Sequence, residues 1–158
     1  MSEVWKNIVG YEGLYEVSNL GKVRSIDRYV NHPKGGLALK KGKLLQPRQN
    51  HQGYYCVILS KDCKIENRRI HRLVAEAFIP NPNNLPQINH KDEDKSNNSV
   101  TNLEWCTCSY NIKYGSAIQR MINTKIKKGI YDKTHIGLSL KEQNRLNNIK
   151  YRSRKNPD

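Results

Sequence analysis

The sequence predicts an α+β fold, in which short antiparallel strands precede and alternate with short helices. Apolar and polar residues alternate over several runs in the first third of the chain, a pattern typical of β-strands. Residues 71–78 carry apolar side chains at helical spacing instead. Residues 87–111 then combine a short apolar run, a long polar run, a second apolar run and a helix start. We expect these last residues to form strand, loop, strand and helix in that order.

Charge divides the chain into three parts. The 158 residues carry a formal net charge of +14. Residues 1–53 hold nine Lys and Arg against four Asp and Glu, residues 54–111 hold seven of each, and residues 112–158 hold twelve against three. Basic segments on both sides of a neutral one favour a polyanionic partner, nucleic acid above all.

Three structural parts are expected from this composition. Residues 1–53 are predicted to form a small antiparallel β module with a basic linker, and residues 54–118 a compact unit. Residues 119–158 are predicted to form a basic tail, partly helical and partly flexible until it meets its partner. Ser139-Leu140-Lys141-Glu142 fits a capping box, which predicts a helix over residues 140–151.

The β module is predicted from a strand, a turn and a return strand. Residues 14–19 alternate in polarity, Asn19-Leu20-Gly21-Lys22 is a turn candidate, and residues 23–26 are β-prone. Pro33, Gly35, Gly36 and Gly42 interrupt the pattern of residues 29–53. We therefore expect an irregular, mobile basic segment there, with at most a short strand at 43–47.

A second group of elements is predicted between residues 54 and 78. Residues 54–60 are rich in β-branched and aromatic side chains, and residues 61–64 form a turn candidate. A return strand over 65–71 should lead into an amphipathic helix over 71–78, because two prolines follow shortly after.

The four cysteines lack the spacing of a structural zinc site. They are separated as C-x6-C and C-x-C, whereas zinc sites usually pair them as C-x2-4-C. We expect no zinc, and we expect Cys56 and Cys106 to be buried as small apolar side chains. No apolar run is long enough to cross a bilayer, and Met1 begins no leader-like segment. An intracellular, cytoplasmic protein without a membrane partner is therefore expected.

Three motifs resemble the HNH homing endonucleases that phages and introns encode. Residues 5–25 match W-K-x-I-x-G-Y-E-G-x-Y-x-V-S-N-x-G-x-V-R-S, the short module ahead of the nuclease unit in many of these enzymes. Residues 71–82 read H-R-L-V-A-x-A-F-I-P-N-P, which is also typical of this branch. N-H-x-D, N-N-x-x-x-N-L-x-W and a late Asn follow over residues 89–111. The resemblance implies a ββα-metal unit, also called a His-Me finger, in a bacterial or phage-infected cell.

The resemblance also implies the roles of four residues in the hydrolysis of a DNA phosphodiester bond. His90 would be the general base, because imidazole titrates near neutral pH. Asn102 would hold the polar loop to the strand that bears His90. Asn89 and Asn111 would bind one divalent cation, Mg²⁺ or Mn²⁺, together with phosphate oxygens and waters. The implied partner is double-stranded DNA, bound by a monomer or a homodimer.

Two positions depart from the usual motif. The last is often His but is Asn111 here, and the first is Asp in some members but Asn89 here. Two neutral amides offer a hard cation no formal charge, so we expect weak metal binding by the free protein and tighter binding after Asn89→Asp. Asp92 and Asp94 stay open as alternative ligands.

Basic side chains in both arms are candidates for phosphate contacts. Each lies in a basic segment of the chain, outside the stretch from residue 54 to residue 111. They are Lys22, Arg24, Arg28, Lys40, Lys41, Lys43, Arg48, Lys113, Arg120, Lys125, Lys127 and Lys128. Two other functions fit the same composition. The chain could be a DNA-binding protein with a vestigial nuclease fold, or a basic RNA-binding protein.

Overall fold

The structure is a computed structural model that describes residues 2–127. The chain divides into two units, Met1–Asn111 and Ile112–Asp158. The helix predicted over 140–151 and its capping box lie outside the described residues, as does Lys128. Within the described range no helix is long and apolar enough to cross a membrane.

A three-stranded antiparallel sheet begins the first unit. It comprises β1 (Trp5–Asn7), β2 (Tyr15–Ser18) and β3 (Val23–Ser25), with β2 in the centre. Alternation buries Tyr15 and Val17 of β2 on one face. The strand and return strand predicted from residues 14–26 are therefore confirmed.

The segment after this sheet is more regular than the sequence predicts. Strands β4 (Arg28–Asn31) and β5 (Leu37–Lys40) pair as an antiparallel hairpin. Gly35 and Gly36 have positive φ angles of 93° and 81° and form its tip, so these glycines permit a turn and do not disrupt the strands. The strand expected at 43–47 is reduced to a single bridge between Leu44 and Arg24.

A second three-stranded sheet leads into the first helix. Strands β6 (Arg48–Gln49), β7 (Tyr55–Lys61) and β8 (Lys64–Arg69) pair antiparallel in that order. The turn between β7 and β8 has positive φ at both central residues, which suits the right-handed twist of a hairpin. Helix α1 (Ile70–Phe78) follows β8 directly, as predicted.

The polar segment forms the predicted strand, loop, strand and helix. Strand β9 (Gln87–His90) pairs antiparallel with β10 (Leu103–Cys106). The loop between them ends in a short 3₁₀ helix, Val100–Asn102. Helix α2 (Cys108–Lys113) follows β10. Helix α3 (Ala117–Lys127) belongs to the second unit.

One hydrophobic core joins the elements of the first unit. Val17 of β2, Leu59 of β7 and Val74 of α1 are completely buried in it, and Ile88 and Leu103 extend it to the β9–β10 ribbon. Burying each such side chain contributes about 1.5–3 kcal/mol. The core therefore includes residues on both sides of the boundary predicted at residue 53, and that boundary and the one at 118 stay predictions.

The cysteines follow the pattern expected of small apolar side chains. Cys56 and Cys106 are buried, and Cys63 and Cys108 are exposed. All four are free thiols. Burial raises the pKa of both the Cys56 and the Cys106 thiols, which keeps them protonated and unreactive.

The turn between β2 and β3 packs against the loop that follows β9. The Asn19 carbonyl accepts a hydrogen bond from Val100 N at 2.9 Å. Gly21 has a φ of +83°, and a Cβ at this position would lie 2.8 Å from the Cβ of Asn98. Gly21 is thus required both by its backbone conformation and by this close contact.

We predict that Gly21→Ala destabilises the protein more than Gly13→Ala does. Both glycines have positive φ, but a Cβ at Gly13 would meet nothing within 4 Å. The strained φ alone should cost about 1–3 kcal/mol in each variant. Overpacking against Asn98 should cost Gly21→Ala about 1–3 kcal/mol more. Urea unfolding measures both losses, and equal losses would mean that the contact with Asn98 relaxes freely.

Candidate active site

The register of β9 and β10 sorts their side chains onto two faces. His90 lies opposite Leu103, and Asn89 lies opposite Glu104. Successive side chains of a strand point to opposite faces. Consequently His90 shares the core face with Ile88, whereas Asn89 and Glu104 share the other face.

His90 is enclosed by one aromatic and two polar neighbours. Its side chain is 6% exposed, and its ring centroid lies 5.2 Å from that of His71 and 6.2 Å from that of Tyr54. Its Nε2 lies 3.3 Å from Oδ1 of Asn98. Because the Asn98 amide nitrogen donates to the Ser96 carbonyl, Oδ1 is the atom that faces His90. Nε2 is then the donor, and Nδ1 is left to accept a proton.

Burial holds both histidines neutral. It lowers the pKa of His90 below its ordinary value of 6.5, and the hydrogen bond with Asn98 opposes this shift in part. Burial also lowers the pKa of His71 to about 3, with the neighbouring His90 as a smaller cause. Nδ1 of His71 is buried and has no hydrogen-bond partner among the described residues.

The side chain of Asn102 forms three hydrogen bonds with residues of the polar loop. Its Nδ2 donates to Oδ1 of Asp92 at 2.8 Å and to the Asn97 carbonyl at 2.8 Å. Its Oδ1 accepts from the backbone N–H of Asp92 at 3.0 Å. An amide can do this because it donates and accepts at once. These three bonds tie both ends of the loop together next to His90.

The carboxylates of Asp92 and Asp94 accept hydrogen bonds from other residues of the loop. Asp92 accepts from the Asn97 side chain at 2.7 Å, and this bond is the first cause of its lowered pKa. Asp94 accepts from the backbone and hydroxyl of Ser96 at 2.8 and 2.7 Å. Both side chains have turn-type partners, which is the ordinary use of Asp in such loops.

Two hydrogen-bonded pairs of oxygen-bearing side chains lie along the face of the ribbon that carries Asn89. Nδ2 of Asn89 donates to Oε1 of Glu104 at 2.8 Å, and Nδ2 of Asn111 donates to Oε1 of Gln87 at 2.7 Å. Gln87 and Asn89 are alternate residues of β9, about 7 Å apart along the strand. We call Gln87, Asn89, Glu104 and Asn111 the oxygen cluster. Its donor atoms are the kind that Mg²⁺ and Mn²⁺ prefer, so it fits a hard cation.

The described residues contain no metal site made from histidine, acidic and thiol ligands. Among residues 2–127 no group of three or more His, Cys, Asp or Glu side chains could hold a metal ion. The oxygen cluster instead consists of three amides and one carboxylate, and the imidazole of His90 lies on the opposite face of β9.

The two halves of the first unit match two known families. Residues 3–60 match the NUMOD4 motif, and residues 68–113 match the HNH endonuclease family. A solved structure, titled as DNA binding and cleavage by the HNH homing endonuclease I-HmuI, is 30% identical with a TM-score of 0.53. The alignment covers 94% of this chain and 68% of that one. The chain belongs to the HNH endonuclease family.

Curated relatives extend the match to phage and viral HNH proteins. DNA endonuclease I-HmuI of Bacillus phage SP01 is 38% identical over 109 residues, which are 69% of this chain and 55% of that protein. An uncharacterized HNH endonuclease, L245, of Acanthamoeba polyphaga mimivirus is 36% identical over 124 residues, 77% of this chain and 33% of that protein. The chain therefore spans about half or less of the length of these relatives.

The structure places the predicted HNH residues in two groups. His90 and Asn102 bond to residues of the polar loop, and Asn89 and Asn111 lie in the oxygen cluster. Asn89 and His90 are consecutive residues of β9, so the two groups meet in the backbone of this strand while the two side chains leave its opposite faces.

Several of the basic side chains proposed to contact DNA have partners within the N-terminal half. Arg24 donates to Glu16 at 2.8 Å and stacks 4.1 Å from the ring of Trp5. Lys41 pairs with Asp27 at 2.8 Å. Binding phosphate through Arg24 or Lys41 would require these pairs to rearrange.

The other proposed basic residues differ in surroundings. Lys22 pairs with Glu3 at 3.3 Å, and Arg28 lies 6.0 Å from the ring of Tyr15. Three exposed side chains have no ion pair among the described residues: Lys40, Lys43 and Arg48. The remaining ones lie on α2 and α3, and they are Lys113, Arg120, Lys125 and Lys127.

The structure adds three side-chain contacts to the HNH residues. Glu104 pairs with Asn89, Asn98 bonds to His90, and His71 packs against it. The alternation of Asn102-Leu103-Glu104-Trp105 already indicated that Glu104 lies on the polar face of its strand. Its pairing with Asn89 required the register, which the sequence does not give.

We predict that Asn102→Asp destabilises the loop more than Asn97→Asp does. The first change places two carboxylates about 3 Å apart at a buried position, where the lost donor costs about 1–3 kcal/mol. Asn97 also donates to Asp92 but is exposed, so solvent should screen the repulsion and limit the loss to about 1 kcal/mol. Urea unfolding at neutral pH measures both. Equal losses would mean that the buried hydrogen bonds of Asn102 stabilise the loop no more than the exposed one of Asn97.

We predict that His71→Phe removes part of the acid sensitivity of the fold. Folded His71 has a pKa of about 3 and its ordinary value is 6.5, so between these values the unfolded state binds one proton more. Stability therefore falls as pH falls through this window, by about 1.4 kcal/mol per pH unit. The variant should lose roughly 3 kcal/mol less than the wild type between about pH 6.5 and about pH 4.

The matched control for this change is His51→Phe. His51 is exposed in the turn before β7, so its replacement should leave the pH dependence as in the wild type. Unfolding by urea over a series of pH values gives the slopes. If the wild type and His71→Phe have the same slope, His71 is protonated in the folded protein at mildly acid pH.

Proposed function

We propose that this chain is a metal-dependent endonuclease of the homing type that hydrolyses phosphodiester bonds in double-stranded DNA. The observation that carries this proposal is that two consecutive residues of β9, Asn89 and His90, bear a candidate cation ligand and a candidate general base. His90 is a buried, neutral imidazole with Nδ1 able to accept a proton, and Asn89 belongs to a set of oxygen donors on the other face of the strand. A general base and a cation are what hydrolysis of a phosphodiester requires.

His90 acts as the general base in this proposal. Nδ1 accepts a proton from the water whose oxygen forms the new bond to phosphorus, and the bond from phosphorus to the leaving 3′ oxygen breaks. Asn98 keeps the proton on Nε2, which leaves the Nδ1 lone pair available. Asn102 is a positioning residue, because its three bonds hold the loop that carries Asn98.

The oxygen cluster is the proposed cation site. HNH nucleases generally use a divalent metal, and Asn89 and Asn111 would hold it here. A cation bound there would supply the positive charge that stabilises the phosphate in the transition state. Mg²⁺ and Mn²⁺ fit the oxygen donors of the cluster, whereas zinc more often takes sulfur and nitrogen ligands.

The substrate is proposed from charge and from the relatives. The solved relative is titled as binding and cleaving DNA. In this chain the net charge of +14 and the exposed side chains of Lys40, Lys43 and Arg48 support contacts with a phosphate backbone. Residues 2–127 contain one such site, so a monomer would cut one strand and a dimer could cut both.

Incubation with supercoiled plasmid and Mg²⁺ or Mn²⁺ tests the proposal. Relaxed circles mean that one strand is cut, linear product means that both are cut, and EDTA should stop either reaction. Binding without cleavage by the wild type would favour a vestigial nuclease fold. Preference for RNA in competition binding, without cleavage of duplex DNA, would favour an RNA-binding protein.

We predict that His90→Ala lowers the cleavage rate by about 10²–10⁴ and leaves DNA affinity nearly unchanged. Gel-shift titration measures affinity, and His51→Ala is the matched control, since His51 is an exposed histidine outside the proposed site. Because the pKa of His90 is lowered, the wild-type rate should rise through an apparent pKa below 6.5 and level off by neutral pH. An unchanged rate in His90→Ala would refute its role as base.

A further inference from the structure

The cross-strand partner of Asn89 is a carboxylate. Glu104 lies directly opposite Asn89 in the β9–β10 pairing, and Oε1 of Glu104 accepts the Asn89 amide at 2.8 Å. The other three members of the oxygen cluster are amides, so Glu104 carries its only formal charge. The cluster is therefore not the neutral site that Asn89 and Asn111 alone would make.

Glu104 lacks the partners that usually accompany a half-buried carboxylate. Its side chain is partly buried, and it forms no ion pair with any residue in the described range. Charged groups taken from water are normally paired with an opposite charge or bound to a metal. The hydrogen bond from the Asn89 amide occupies Oε1 of Glu104, and its other carboxylate oxygen has no protein partner among the described residues.

The other acidic residues near the ribbon do not offer the same charge. Asp92 and Asp94 accept hydrogen bonds inside the polar loop, from Asn97, Asn102 and Ser96. Neither takes part in a bond to the oxygen cluster. Glu104, in contrast, is bonded to a member of the cluster and projects from the same face of the ribbon.

We propose that Glu104 supplies the negative charge of the cation site, as the anionic ligand that compensates for an amide at position 89. This inference rests on the proposed function, because it assigns a residue to the cation site of that reaction. The charge that an Asp at position 89 would place on β9 is located across the ribbon on β10. With Glu104 in the site, the cation needs less negative charge from DNA phosphate than it would need with Asn89 and Asn111 alone.

Substitution to Gln separates the charge of Glu104 from its hydrogen bond. In Glu104→Gln the side-chain oxygen can still accept from Asn89, but the charge is gone. The double variant Asn89→Asp/Glu104→Gln moves the carboxylate from β10 to β9. The cross-strand hydrogen bond is kept, but the amide of residue 104 now donates it and the carboxylate of residue 89 accepts it. The control is Glu66→Gln, which removes one charge from strand β8 of a different sheet, where Glu66 pairs with Arg68 at 3.7 Å.

The measurement is Mn²⁺ binding to DNA-free protein, followed by calorimetry and by the electron paramagnetic resonance of free Mn²⁺. Glu104→Gln should weaken binding by about tenfold or more, and the double variant should return to within about threefold of the wild type. Glu66→Gln should match the wild type. Thermal unfolding without metal checks that each variant is folded, and the rise in Tm with Mn²⁺ should be smaller in Glu104→Gln.

Three outcomes would overturn the proposal. They are wild-type affinity in Glu104→Gln, no recovery in the double variant, and no saturable binding of Mn²⁺ by the wild type. If Glu104→Gln does not fold, the double variant decides, because it retains the charge and must bind Mn²⁺ like the wild type. Plasmid cleavage by the wild type is scored separately, so failure of the Glu104 assignment and failure of the nuclease proposal give different results.

Discussion

The antiparallel register of β9 and β10 is the constraint on which the site depends. It places His90 opposite Leu103 and Asn89 opposite Glu104, and a shift of one residue would exchange the two faces. Ile88 and Leu103 fix this register because both are buried in the core. Apolar packing therefore determines which polar side chains of β9 and β10 lie on the same face of the ribbon.

The loop between these strands has a different source of order. It contains few apolar side chains, and its shape depends on bonds from Asn102, Asn97 and Asp92 to one another and to the backbone. Such bonds each contribute only about 0.5–1.5 kcal/mol but fix direction well. The loop thus gains a defined shape at small cost, which is useful next to an imidazole whose neutral form and tautomer both matter.

Periodicity in the sequence was sufficient for the elements that pack on the core. It predicted β2, β7, α1 and the β9–β10 ribbon, because each has one face buried in a single hydrophobic cluster. It failed for the β4–β5 hairpin, whose side chains are largely exposed and whose glycines form the turn. The motif predicted the four HNH residues, but motif spacing says nothing about cross-strand neighbours. The contacts of Glu104 with Asn89, and of Asn98 and His71 with His90, became visible only when the chain was folded.

The contact of Gly21 with Asn98 has a consequence for where a nuclease of this kind would cut. No flexible tether separates the NUMOD4 motif from the loop beside His90, because the β2–β3 turn lies directly on that loop. Any base pairs touched by the first sheet would then stand at a constant offset from the scissile bond. The two matched segments would then hold the contacted base pairs at a fixed distance from the cleavage position. A new target would have to preserve that distance even where its bases change.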